Sequence, residues 1–212
     1  MYLEKFAVII FLIILPSQAN ALMLDLFYEF VGDSLGPSSF GTVSIMENVG
    51  DLDFAITANT TNLVGGDIQE FYFNLDFTPT NLSIIADNHP ATGSPYSVIG
   101  PSPTVVGGAG ASFDWGVNFG NGGGPSGNGI LDFASFTLSA NESLLISNLY
   151  EFSYPNNTPP VNVAVHFQSA DVFQKGSETV GGVDPIPEPA TMILFGTGLA
   201  SLAGIRYKRR KK

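Results

Sequence analysis

The chain has no cysteine and, across its long middle, almost no positive charge. Without a thiol it forms no disulfide, no thiolate metal centre and no Cys nucleophile, so its core must hold by burial alone. Six of the eight Lys and Arg (Arg206, Lys208, Arg209, Arg210, Lys211 and Lys212) crowd the last seven positions, and Lys175 is the only basic residue between Leu22 and Pro187. That stretch sets one Lys against seventeen Asp and Glu, a net charge of −16. Such a surface repels phosphate backbones, so no nucleic-acid partner is expected and cations suit it better.

Histidine is nearly as scarce. His89 precedes Pro90 in a turn, and His166 alternates with Val163, Val165 and Phe167, which predicts a solvent-facing strand position. With two His and no Cys, neither a Ser-His-Asp site nor a transition-metal site is expected. Gly122, Gly124 and Gly127 have dinucleotide-fingerprint spacing, but Pro125 and the lack of a following helical pattern make this a loop. No Gly-x-Ser-x-Gly elbow and no His-Glu-x-x-His pair occurs. The chain is therefore expected to be non-enzymatic and to need no cofactor.

What is abundant is Gly (24), Pro (14) and Phe (17), with charged residues held to 13%, a mixture that describes short apolar strands joined by tight turns. Phe71, Phe73, Leu75 and Phe77 alternate with Glu70, Tyr72, Asn74 and Asp76; Phe113, Trp115, Val117 and Phe119 alternate with Ser112, Asp114, Gly116 and Asn118. Further strands are predicted at 24–30, 41–47, 51–58, 81–86, 130–138 and 161–168, with Asn48-Val-Gly-Asp51 as a hairpin turn. Eight or more short strands without an intervening amphipathic helix predict an all-β fold, an antiparallel β-sandwich of jelly-roll type.

The two ends read differently. Met1 to Ala21 has Lys5, an apolar run from Phe6 to Leu15, and the small-residue pattern Ala19-Asn20-Ala21, which predicts a signal peptide cut after Ala21 by signal peptidase following Sec export. Residues 190–205 carry no charge and meet a basic cluster at 206–212, which predicts one transmembrane helix that just crosses the roughly 30 Å hydrocarbon layer, with its basic tail cytoplasmic. Gly196, Ala200 and Gly204 recur every four residues and form a small-residue face for helix packing. The expected organisation is a signal peptide at 1–21, an ectodomain at 22–182, a Pro-rich linker at 183–189, the helix at 190–205 and the basic tail at 206–212.

Pro187-Glu188-Pro189, the apolar run and the Arg/Lys cluster, taken in that order, resemble the PEP-CTERM sorting signal of Gram-negative bacteria. The resemblance implies recognition by an exosortase, a polytopic membrane protease or transpeptidase acting near Pro-Glu-Pro, in a setting of exopolysaccharide and biofilm. Pro185, Pro187 and Pro189 fix φ and disfavour helix at the residues before them, which keeps the stretch extended for a protease, with Glu188 as its charged handle. The protein so implied is anchored transiently in the inner membrane and then reaches the cell surface or the extracellular matrix, in a structural or adhesive role alongside exopolysaccharide.

Two other readings belong to the middle of the chain. Tyr28, Tyr72, Tyr96, Trp115 and Tyr150 could supply the aromatic platform of a carbohydrate-binding module. Asp51 and Asp53, two apart on one strand face, are weak Ca²⁺ candidates and, as paired carboxylates, the basis for a glycan hydrolase.

Overall fold

The computed structural model describes residues 20–31, 38–63, 65–90, 94–101, 104–105, 112–120, 130–149, 161–168 and 177–185. Twelve strands run through them: β1 (Ala21–Val31), β2 (Gly41–Asn48), β3 (Asp51–Ala58), β4 (Asp67–Phe73), β5 (Ser83–Asp87), β6 (Ser97–Ile99), β7 (Thr104–Val105), β8 (Ser112–Phe113), β9 (Trp115–Asn118), β10 (Phe133–Ser139), β11 (Val163–Gln168) and β12 (Ser177–Pro185). The described helical structure is a 3-10 turn at Ile146–Asn148.

Alternation makes the strands. In β3, Leu52, Phe54 and Ile56 are buried while Asp51, Asp53 and Ala55 face outward, the period of two that a sheet with one covered face requires. The predicted hairpin is present: β2 pairs with β3 from Gly41↔Ala58 to Asn48↔Asp51. Its two-residue loop holds Val49 at φ 49° and Gly50 at φ 94°. Positive φ at both central residues marks the type I′ geometry whose twist matches the flanking strands.

Ten strands form one sheet in the order β5-β10-β3-β2-β1-β12-β11-β4-β9-β6, antiparallel at every pairing. In place of the two separate sheets of a sandwich, this single sheet curls until its halves face each other. Phe54 of β3 and Phe71 of β4 belong to strands with four others between them, yet their rings meet edge-on at 5.4 Å. Phe136 stacks on Phe54 at 4.9 Å, and Phe119 lies 6.0 Å from Phe136. Burying a side chain of this size stabilises by about 1.5–3 kcal/mol, so this Phe cluster is what closes the curl.

At the outer strands of the sheet, the end of β5 and the residue before β6 are linked by polar groups. Asp87 accepts the Tyr96 N–H at 3.2 Å, and the Tyr96 hydroxyl donates to Asn88 Oδ1 at 3.0 Å. Exposed strand edges invite pairing with other chains, and these bonds help to cover them.

The alternation read in the sequence breaks in two places. Tyr72 and Asn74, expected outward, are buried at 3% and 1% exposure. Phe113, expected beside Trp115, lies against Tyr72 with ring centroids 6.1 Å apart, because the chain bends at Asp114 between β8 and β9.

Candidate functional site

The sheet has two poles. One gathers the start of β1, the β2–β3 hairpin and the end of β12: Ala21 pairs with Met46, and Leu24 with Pro185. Ala21 is thus the first rung of β1, and cutting after it leaves Leu22↔Ile45 as the first pair. The last strand runs on past position 182 to Pro185. The 3-10 turn closes over this pole, with the Ile146 N–H donating to Glu47 Oε1 at 2.9 Å and the Leu144 N–H to the Gly50 carbonyl at 2.7 Å.

A cleft of about 330 Å³ opens at the same pole between Leu75, Asp76, Phe77, Thr78, Pro101, Asp114 and Trp115. It places two carboxylates near aromatic rings, but Trp115 is 4% exposed and turned into the core. Tyr72 and Tyr96 are likewise buried, and Tyr150 lies outside the described residues. The aromatic platform expected from these residues is therefore not formed by Tyr72, Tyr96 and Trp115, whose rings are spent on packing.

Asp51 and Asp53 do share one face of β3. The Asp53 carboxylate is already engaged, accepting from Asn48 Nδ2 at 3.0 Å and from the Thr137 hydroxyl at 2.7 Å. Among the described residues no group of three or more His, Asp or Glu gathers as metal ligands would.

The most organised polar constellation lies toward the opposite pole, on the outer face, and the sequence reading missed it. Glu70 of β4 and His166 of β11 are register partners, and Ser177 opens β12 on the far side of β11. His166 Nδ1 meets Glu70 Oε2 at 3.2 Å, and His166 Nε2 meets Ser177 Oγ at 2.8 Å. The Tyr72 hydroxyl also donates to Glu70. These bonds, with the His166 hydrogen bond foremost, hold the Glu70 carboxyl below the usual carboxylate range against the opposing effect of burial. Burial and the Glu70 charge push the Tyr72 phenol up, so it stays a donor.

A β-bulge shapes this place. His166 pairs with Glu70 and Phe167 with Ile68, which leaves Gln69 as the extra residue and half-exposes both Gln69 and Glu70. Buried Asp67 accepts from Gln69 Nε2 at 2.7 Å and from the Leu131 N–H at 2.7 Å, pinning the bulge to the segment before β10. Together Gln69, Glu70, Asn118, His166, Gln168 and Ser177 line a cleft of about 200 Å³. Nothing in the spacing of positions 70, 166 and 177 announces this meeting, which the sheet order alone creates.

Residues 185–210 match the model of the PEP-CTERM protein-sorting motif. The chain carries the PEP-CTERM sorting motif. The motif marks an exported protein with a membrane-anchored C-terminal sorting signal that an exosortase processes. Pro187, Glu188 and Pro189, the small-residue face Gly196, Ala200 and Gly204, the basic cluster from Arg206 to Lys212, and Ala19 of the signal-peptide reading lie outside the described residues. Among the described residues no helix is long and apolar enough to cross a membrane, and the expected span at 190–205 falls beyond them. No curated protein and no solved structure matches the chain.

Proposed function

We propose that the acidic all-β domain is the cargo of its PEP-CTERM tail. In this reading it is exported by the Sec route, freed of its signal peptide after Ala21, and held in the inner membrane by residues 190–205. It is then released by an exosortase cut near Pro187-Glu188-Pro189 to a structural or adhesive place at the cell surface or in exopolysaccharide. The observation that carries this reading is where β12 ends: among the described residues its last pair is at Pro185, two residues short of Pro187. A cut at the motif therefore removes the tail and leaves every described strand of the sheet in place. The net charge of −16 between Leu22 and Pro187 keeps such a released domain soluble.

The test is deletion of Pro187-Glu188-Pro189 in the native host, followed by fractionation. The expected result is full-length protein accumulating in the inner membrane, with the extracellular fraction lost. Release at the wild-type rate overturns the reading.

A further inference from the structure

Ser177, His166 and Glu70 form a row across three neighbouring strands, β12, β11 and β4, and their order is that of a nucleophile, its base and the carboxylate that orients the base. Glu70, kept ionised, accepts the N–H at His166 Nδ1, which puts the ring's lone pair on Nε2. That lone pair faces the Ser177 hydroxyl at 2.8 Å, within the reach proton transfer requires. The Tyr72 hydroxyl on Glu70 and the Gln69–Asp67 bond fix the surroundings of the row from the β4 side. Such a constellation is recognised by geometry and roles, whatever the fold that carries it.

We propose that Ser177 is the nucleophile of an acyl-transfer site, with His166 as general base and acid and Glu70 as the positioning carboxylate, that hydrolyses small acyl esters of polyhydroxylated alcohols such as sugars. The cleft selects the class. Its volume of about 200 Å³ has room for a short acyl group. Among the described residues its lining is polar, and the side-chain amides of Asn118 and Gln168 can meet hydroxyl groups.

The step balances with water alone. Ser177 Oγ bonds to the carbonyl carbon as its proton passes to His166 Nε2. Collapse of the tetrahedral adduct breaks the bond to the alcohol oxygen, and the alcohol leaves with that proton. Water then attacks the acyl-serine, giving a proton to Nε2, and the acid departs as Ser177 recovers it. Ser177 opens β12 and Pro185 closes it, eight strand steps or about 26 Å apart, so the site stands away from the pole that joins the tail.

The experiment uses the exported protein and two probes, a fluorophosphonate that labels activated serines and p-nitrophenyl acetate, with acetylated glucose as the polyol ester. The expected result is a label that mass spectrometry maps to Ser177, and hydrolysis that falls at least 100-fold in Ser177→Ala and about tenfold or more in Glu70→Gln, with urea midpoints showing both variants folded. Hydrolysis undiminished in Ser177→Ala would show imidazole chemistry without a nucleophile and overturn the proposal. So would a label absent from Ser177 in the folded wild-type protein.

Discussion

Leu24 of the first strand stands directly opposite Pro185 of the last. The two ends of the domain are thus zipped together in the middle of the sheet, with β12 between β1 and β11. A middle strand supplies the ladder for both neighbours, so its loss opens the sheet between β1 and β11. A chain ending at Pro185 is expected to unfold in urea as one cooperative transition. A chain ending at Gly176, which lacks β12, is expected to show no cooperative transition and no near-ultraviolet dichroism from its buried aromatics. A cooperative transition in the shorter chain would mean that the pairing with β12 is dispensable.

Asp67 is a carboxylate with no exposed surface, joined to the Leu131 N–H and to Gln69 Nε2. Replacing it with Ala strands a buried backbone donor and frees the bulge. A buried donor left without its acceptor costs about 1–3 kcal/mol, so Asp67→Ala is expected to lower unfolding free energy by roughly that amount, read from the urea midpoint at unchanged slope. Asp67→Asn keeps one acceptor and should lose less.

How much of this was visible in the sequence depends on how local each signal is. The β2–β3 hairpin was legible because its turn residues and its period of two, Leu52, Phe54 and Ile56, are contiguous. β12 was not. Its centre is Gly181-Gly182, and a Cβ at Gly182 would come within 2.9 Å of Val163 Cγ2 and 3.2 Å of Leu24 Cβ. Neighbours fill the space that a strand's own side chains would announce. Burial of Tyr72 was hidden for a related reason, since its cover, Phe113, comes from a separate two-stranded ribbon. His166 was placed correctly on the outer face of β11, but its partners lie 96 and 11 residues away, and only the strand order brings them to it. The sorting tail needed no folding to be read, because its signal is linear.

Glu70 gives the domain a pH dependence with a definite sign. Its carboxyl is lowered in the folded state, first by the His166 hydrogen bond. A lowered folded value means that the stabilisation is complete above the ordinary Glu value of about 4.3 and is lost as pH falls through the lower folded value. Wild-type urea midpoints are expected to drop between pH 5 and the acid limit of folding more steeply than those of Glu70→Gln, which has no proton to take up there. Parallel profiles would show that the bonds to His166 and Tyr72 do not favour the ionised form.

Val49 is the residue that local physics would replace. It sits fully exposed at the tip of the β2–β3 hairpin with φ 49°, a left-handed conformation that costs an L-residue roughly 1–2 kcal/mol and a β-branched one the more. Its side chain returns nothing by burial, and Gly50 already supplies the second positive φ of the turn. Asn tolerates this conformation, and Asn-Gly is the favoured pair for a type I′ hairpin. Val49→Asn is therefore expected to stabilise the domain by about 0.5–1 kcal/mol, seen as a higher urea midpoint with unchanged slope. A fall in the midpoint would show that the Val49 side chain makes a contact worth more than the strain of its backbone.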